Sequence, residues 1–405
     1  MNLSLFIAKR YFLSKRKKNF INIISILSMI GVAFSCAALI IVLSVFNGLE
    51  DLLRSLNSSF DPELKIEAVR GKSFEVSDEF LLSINRIEGV EVVTEVIEDY
   101  GYLRYGDADM VVTMKGVSDN FIDQHRLDEH IVQGRLAIKE DSIPLAVIGR
   151  GVQTFLSISL DDSFYALQVF YVKNVSGSSM DPSRMYARKT VKPAGVFSIE
   201  KNYDENYILL PISLVEELVG YDEKRTALEV KASGNIHDVQ TRLKKLLGDE
   251  FDVLNNEEQH KDLYRLLKVE KLFTFLALSL LVGIASINIF FSLMMLALDK
   301  KKDISVLYAM GSTNQLIRKI FLAEGAIISF LGAGVGLLGG GLICWLQTTY
   351  GLVGMGLENA VVSNYPVQMK ATDFLLVASL IFVVTLLISF RPASLAAKSY
   401  SINDL

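Results

Sequence analysis

The chain has 405 residues, 51% of them hydrophobic and 21% charged, with a mean hydropathy of +0.35. With only seven prolines and two cysteines, this composition excludes a disordered chain, a collagen-like repeat and a disulfide-stapled scaffold, and it suits a soluble enzyme poorly. The net charge of −5 is a sum of unlike parts: residues 48–268 hold 26 Lys and Arg against 39 Asp and Glu, while the remainder holds 15 against 7, so an acidic block of −13 lies between basic, apolar ends of +8.

Residues 1–19 come first. Leu3, Phe6, Ile7 and Tyr11 share one helical face beside Lys9 and Arg10, and Lys15, Arg16, Lys17 and Lys18 follow, with no acidic residue among them. That pattern predicts an amphipathic helix lying in a membrane interface. The run Asn19–Leu49 carries no charge and predicts a first membrane span over 20–47. It outlasts the roughly 7–15 apolar residues of a signal peptide, and no small-x-small site follows, so an uncleaved anchor is expected.

Residues 48–268 predict a large outer domain that mixes strands and helices. Glu63–Val69 reads as a strand, Val76–Ile87 as a helix and Val90–Ile97 as a strand. The same order recurs in Ala227–Ala232, Ile236–Leu247 (capped by Asn235 or Gly234) and Phe251–Leu254. One subdomain is therefore expected from 60–100 and 225–258. A β-rich middle subdomain is expected over 105–212, with strands at Met110–Lys115, Phe164–Val172 and Val191–Ile199. Within it, Asn174–Arg188 is polar and contains Gly, Ser and Pro. It reads either as a long hairpin loop or as an arm that grips a partner through Ser179, Met180, Asp181, Pro182 and Met185, since thioethers suit adaptable contacts.

Three further uncharged runs, Leu272–Leu298, Gly325–Leu357 and Phe374–Phe390, predict spans at 270–298, 325–349 and 371–391. Unpaired backbone groups are costly in lipid, so each is expected to be a helix. The segment 299–323 joins the second span to the third. Its apolar stripe of Ile304, Leu307 and Met310 ends at Gly311, and Ser312 or Thr313 can cap a second helix bearing Leu316, Ile317, Ile320 and Phe321. Such a segment either lies in the headgroups or docks in a partner's groove. Gly332, Gly336 and Gly340 recur every four residues in the third span and suit close helix packing. The GxGxxG match at Gly334–Gly339 lies inside that span with no strand before it, so it is not read as a dinucleotide site. A loop at 350–370 and a tail at 392–405 complete the chain. The expected fold is an α-helical membrane protein of four transmembrane helices with a large α+β extracytoplasmic domain.

Basic residues set the expected orientation. Lys300, Lys301, Lys302, Arg318 and Lys319 lie between the second and third spans, and Arg391 and Lys398 at the end, whereas the loop 350–370 has Lys370 alone. Both termini and the middle loop are expected in the cytoplasm. The chain has no GxxxxGK[ST], HExxH or GxSxG motif. His125, His130, His237 and His260 lack metal-ligand spacing and read as surface residues of the outer domain. No catalytic residue, metal or cofactor is expected in this chain. No ionisable residue lies deep in a predicted span, which argues against an ion-coupled carrier. Cys36 and Cys344 fall within spans, and Asn22, Asn47 and Asn288 read as interhelical hydrogen-bonding groups.

Particular segments resemble a known family. Phe6-Ile7-Ala8-Lys9-Arg10-Tyr11, Ile24-Ser25 through Gly31, and Ser44-Val45-Phe46-Asn47-Gly48-Leu49-Glu50 are similar to the N-terminal stretch of the LolC/LolE permeases of the bacterial lipoprotein-releasing ABC transporter. Those permeases sit within the MacB-like and FtsX-like group. Glu270-Lys271, Asn288 and Ser292-Leu293 resemble the second span, and Lys302-Asp303-Ile304 to Met310-Gly311-Ser312, with Phe321 and Gly325, resembles the coupling segment. Pro392-Ala393 and Ala396-Ala397 resemble the tail. The likeness spans essentially the whole chain, with an FtsX-like domain at 270–400.

The resemblance implies a multi-pass protein of the bacterial inner membrane, with its large domain in the periplasm. It implies a second permease copy, the same chain or a different one, and a separate ATPase subunit that carries ATP and Mg. Lys302, Asp303, Ile304, Leu307, Met310, Gly311 and Leu316 would meet that ATPase. Ser44, Phe46, Asn47, Asn288 and Phe291 would face a lipoprotein held between the first two spans, and the arm would recruit a periplasmic lipoprotein carrier. Membrane lipid is a partner and nucleic acid is not. Two other readings stay open. A MacB-like efflux permease would be favoured by a fused ATPase, which is not seen here. An FtsX-like scaffold that regulates cell-wall hydrolases usually has an outer domain far smaller than the about 220 residues here.

Overall fold

The computed structural model describes residues 3–12, 20–141, 143–160, 166–173, 186–355 and 364–398. They divide into two units: Met1–Leu52 with Arg265–Leu405, and Leu53–Tyr264.

The first unit holds four helices long and apolar enough to cross a membrane. They run over Phe20–Phe60, Lys261–Asp299, Asn314–Tyr350 and Ala371–Lys398. All four overrun their expected boundaries, the fourth running through Pro392 to Lys398 where a tail is expected from 392. At 1.5 Å per residue, a 41-residue helix is about 60 Å long, roughly twice the hydrocarbon core. Loss of the apolar run at Glu50 marks where lipid would end, but nothing in the following Asp51–Ser59 breaks a helix, so the helix continues past 47 into the second unit. The expected second helix of the coupling segment is likewise not separate. Thr313 caps Leu316, and the helix then runs unbroken into the third span.

Small residues allow the third span to approach the first. A Cβ at Gly332 would lie 2.7 Å from the Met29 carbonyl oxygen, one at Gly336 would lie 2.3 Å from that of Ala33, and one at Gly340 would lie 3.0 Å from Ala37 Cα. The spacing of four residues thus stacks three contacts along one face, which favours dispersion packing in lipid. The second span joins the first through Ser25 and Ser292, whose hydroxyls lie 2.6 Å apart. The short helix Leu3–Phe12 packs on the same bundle through Ile7 and Tyr11.

The second unit is built on a mixed sheet. Its strands follow the order Phe251–Asn255, Leu64–Ala68, Ala227–Ala232, Val90–Tyr105, Ala108–Val117, Tyr207–Pro211, Ile143–Gly149, Tyr186–Phe197, Ile131–Gly134. Ser77 caps the helix Asp78–Asn85 and Asn235 caps the helix Ile236–Leu247. The two strand–helix–strand units interleave, because Leu64–Ala68 pairs with both Ala227–Ala232 and Phe251–Asn255. The expected subdomains at 60–100 with 225–258 and at 105–212 share one main sheet, which carries three hydrophobic clusters. The strand Val90–Tyr105 joins them by running past Ile97. Its expected end is Ile97, yet Tyr100, Tyr102 and Arg104 continue the ladder against Ala108–Val117.

A buried ionic core sits in this sheet. Glu229 pairs with Lys115 at 2.7 Å and with Arg126. Lys115 Nζ lies 4.4 Å from the Phe60 ring centroid, and Arg126 Nη1 donates to the Phe60 carbonyl oxygen at 2.6 Å. The Phe60 ring in turn stacks on Tyr203 and meets Tyr207 edge-on. The next residue, Asp61, accepts from Tyr203 at 2.6 Å and lies 2.5 Å from His260 Nε2. Burial pushes the Asp61 carboxyl up, but His260, Lys115 and Tyr203 outweigh it and hold the group below its ordinary value. His260 is therefore tied down, not a free surface residue.

Burial also pushes the Glu229 carboxyl up, and Arg126 and Lys115 together overcome it, holding it at about 2. Its folded value lies below the ordinary 4.5, so its contribution is complete above that value and is lost as pH falls from 4.5 towards 2. We expect the acid-unfolding profile of the full chain to lose a component in that window in Glu229→Gln. At neutral pH the same variant strands two buried cations and costs about 3–5 kcal/mol in denaturant unfolding. In the membrane unit, Gly336→Val forces a side chain against a backbone carbonyl and lowers the melting temperature. Gly334→Ala, where a Cβ meets nothing within 4 Å, holds or raises it, with a gain of up to about 1 kcal/mol from helix propensity.

Candidate functional site

Two clusters of polar residues mark opposite ends of the membrane unit. The first is the coupling segment. Lys301–Ala309 forms a helix, and Gly311 follows at φ +91°, a conformation that suits glycine and turns the chain into Thr313. Ile304 is 1% exposed and belongs to the core of the bundle, packed with Ile317, Ile320 and Phe321. Leu307 and Leu316 are half-buried against that core. Met310 is 78% exposed, and Lys302, Asp303, Val306 and Gly311 are exposed as well.

This corrects the expected stripe. Ile304 and Leu307 hold the helix onto its own chain, while Asp303, Val306 and Met310, at spacings of three and four, face away from it. Sequence periodicity found an apolar stripe but could not say which of its neighbours covered it, and Val306 was overlooked for that reason. The helix is also anchored through Tyr308, whose hydroxyl donates to the Ala397 carbonyl oxygen at 2.6 Å, at the end of the fourth helix. A groove of about 330 Å³ lies between this helix and Leu3–Phe12, lined by Phe6, Ile7, Arg10, Tyr11, Asp303 and Val306 among others. Lys300 Nζ lies 5.9 Å from the Tyr11 ring centroid, and burial pushes the Tyr11 hydroxyl up to about 12.

The second cluster centres on Asn47, which is fully buried. Its Nδ2 donates to Asp373 Oδ2 at 2.6 Å and to the Gln368 carbonyl oxygen at 3.2 Å. Its Oδ1 accepts from Lys271 Nζ at 2.5 Å. One amide thus joins the first, second and fourth helices and the loop before the fourth. Gln368 N donates to the Ser44 carbonyl oxygen at 2.9 Å, and a Cβ at Gly48 would lie 2.5 Å from the Pro366 carbonyl. Gly48 is the position that lets the loop backbone close over the helix.

The five expected cavity residues are therefore not brought together. Ser44 and Asn47 are buried inside the bundle and Phe46 is half-buried, whereas Asn288 and Phe291 are exposed on the outward face of the second span. Asn47 has its hydrogen-bonding capacity engaged by its own chain, so it acts as a clamp. Sequence reading missed Lys271, Gln368 and Asp373 as its partners. The available signal was a charged residue at the start of each of two apolar runs, 224 and 326 positions from Asn47.

The arm residues Ser179, Met180, Asp181, Pro182 and Met185 lie outside the described residues. The strands on either side pair antiparallel from Leu167 opposite Val191 to Val172 opposite Tyr186, so they form a hairpin that frames the segment. Among the described residues, no group of three or more His, Cys, Asp or Glu side chains is placed to hold a metal ion.

We expect Asn47→Leu to lower the melting temperature of the detergent-solubilised protein, at a cost of about 1–3 kcal/mol for leaving Asp373 without its amide donor. Asn288→Leu, on the exposed face, is expected to leave it unchanged. Equal losses in the two variants would contradict the assignment of Asn47 as a clamp.

Comparison with known proteins places this architecture. Residues 25–246 match the MacB-like periplasmic core domain, and residues 274–400 match the FtsX-like permease C-terminal domain. The chain is 22% identical over 411 residues to the lipoprotein-releasing system transmembrane protein LolC of Xylella fastidiosa (strain 9a5c), which covers 98% of this chain and 97% of the relative. It is 24% identical over 416 residues to the lipoprotein-releasing system transmembrane protein LolE of Haemophilus influenzae, with 98% of each chain covered. An uncharacterized ABC transporter permease of Methanocaldococcus jannaschii is 34% identical over 154 residues, 36% of this chain and 38% of the relative. The chain belongs to the family of ABC transporter permeases that carry a MacB-like periplasmic core domain, and it is a permease of the LolC/LolE type.

Proposed function

We propose that the chain is the permease subunit of a transporter that releases lipoproteins from the inner membrane to a periplasmic carrier. ATP is hydrolysed by a separate subunit that binds ATP and Mg, and this chain contributes no catalytic residue and holds no cofactor. The observation that carries the reading is the likeness to LolC and LolE along nearly the whole of both chains. The two alternative readings account for less of it, since each shares only the domain types.

The geometry supports the separate energy source. Asp303, Val306 and Met310 form an outward face on a helix whose opposite side, at Ile304, is part of the bundle core. A push on that face moves the second and third spans, between which the helix is inserted. The basic residues at 300–302, 318 and 319 support a cytoplasmic position for this face and for both termini. The large domain then lies in the periplasm.

The substrate side is apolar. Ile26, Ile30 and Phe34 on the first span, and Leu280, Ile284 and Phe291 on the second, are exposed on the bundle surface. Such faces suit acyl chains, and they need no buried charge to hold a lipid anchor. A second permease copy, identical or not, would close the space around the anchor. The segment framed by the hairpin would reach the carrier.

The test is Met310→Asp or Val306→Asp in the intact transporter. Either is expected to abolish co-purification of the ATPase while leaving membrane insertion intact. Undiminished ATPase in the purified complex would overturn the coupling assignment. Leu307→Asp is expected to lose the ATPase as well but to destabilise the bundle, because Leu307 is half-buried.

A further inference from the structure

Four hydroxyls within the spans close onto the backbone of their own helix. Ser28 donates to the Ile24 carbonyl oxygen at 2.8 Å, Ser286 to that of Val282 at 2.7 Å, Ser379 to that of Leu375 at 2.7 Å and Thr348 to that of Cys344 at 3.0 Å. This local bond spares a hydroxyl the cost of standing alone in an apolar medium.

Five buried hydroxyls of the spans have no partner among the described residues, and besides Ser44 and Ser279 three of them line one cavity. Ser329 on the third span and Thr385 and Ser389 on the fourth are 2%, 4% and 1% exposed. Among the described residues, none of the three hydroxyl oxygens has a hydrogen-bond partner. All three line a single cavity of about 20 Å³ whose other walls are apolar, including Leu322, Ala326 and Ile381. Phe330 and Phe382, with ring centroids 6.1 Å apart, form its outer wall. Thr385 and Ser389 are one turn apart on the same helix face, so both point at the third span. A Cβ at Gly325 would lie 2.4 Å from Ser389 Oγ, so the absence of a side chain there leaves room for that hydroxyl.

We propose that Ser329, Thr385 and Ser389 form a binding site for one ordered water molecule between the third and fourth spans. A buried water needs about 10–15 Å³ of accessible space and two to four polar partners, and this cavity offers room for one molecule with three partners. Three isolated hydroxyls elsewhere would argue only for local strain. Three that share one cavity of a water's size satisfy both requirements at once. The water bridges the two helices, donating two hydrogen bonds and accepting one, and converts three unpaired groups into a closed network.

The sign of a stability change tests the site. Thr385→Val keeps the side-chain shape and removes the hydroxyl. In a hydrated site it takes a partner from the water while two hydroxyls still depend on it, and the melting temperature of the intact transporter falls by about 2 °C. In a dry site the same change removes a costly unpaired group, and the melting temperature rises or holds. Ser329→Ala is expected to fall in the same direction as Thr385→Val. A rise or no change in both variants would overturn the proposal. A density map of the intact transporter in lipid, at a resolution showing waters elsewhere, checks it without mutation. A peak within about 2.6–3.2 Å of all three oxygens is expected. Three hydroxyls turned to their own helix carbonyls, with no peak between them, would overturn it.

Discussion

The constraint on which the rest depends is the scarcity of hydrogen-bond partners in a bilayer core. Every backbone group must be satisfied within its own segment, so the apolar runs are helices and nothing else. Lipid tails also remove the usual hydrophobic gain from pressing two apolar helices together. What remains is close contact and a few polar bonds. The structure uses both. Gly332, Gly336 and Gly340 bring the third span onto the backbone of the first, and the Ser25–Ser292 pair joins the first to the second.

Two of the stronger polar groups, Asn47 and Tyr308, are paired at the ends of the spans. Asn47 ties three helices and a loop at one end through bonds of 2.5–3.2 Å. Tyr308 ties the coupling segment to the end of the fourth helix at the other. In the second unit the pairing is ionic and buried, with Glu229 between Lys115 and Arg126 and with Phe60 and Asp61 held beside it. A buried ion pair contributes little net stability but penalises alternatives in which one partner is stranded. Within each unit, these clusters penalise arrangements that separate the partners.

Much of this was legible in the sequence. Charge-free runs located the spans, because lipid imposes composition directly. Alternating and helical periods located strands such as Ala227–Ala232 and the helix Ile236–Leu247, whose bounds are those read from the residues. The four-residue glycine spacing indicated a packing face. The ends of the span helices were not legible, since Asp51–Ser59 is as compatible with helix as with loop. The sides of short helices were not legible either: Ile304 and Met310 look alike in a period of three to four, and only tertiary packing separates a core residue from an exposed one. Partners far apart in sequence left no local trace, which is why Asp373, Lys271 and the ring of groups around Asp61 emerged only from the fold.

The net charge of −5 acquires a meaning from this division. The acidic block belongs to the sheet unit, and the basic ends flank the spans. In the proposed reading, the exposed face of Asp303, Val306 and Met310 meets a separate ATPase, and the permease works on what the membrane holds. The most direct measurement is depletion of the chain in its native host, followed by separation of inner and outer membranes. Acylated lipoproteins are expected to accumulate in the inner membrane, with other envelope proteins distributed as before. Unchanged lipoprotein distribution after complete depletion would contradict the account.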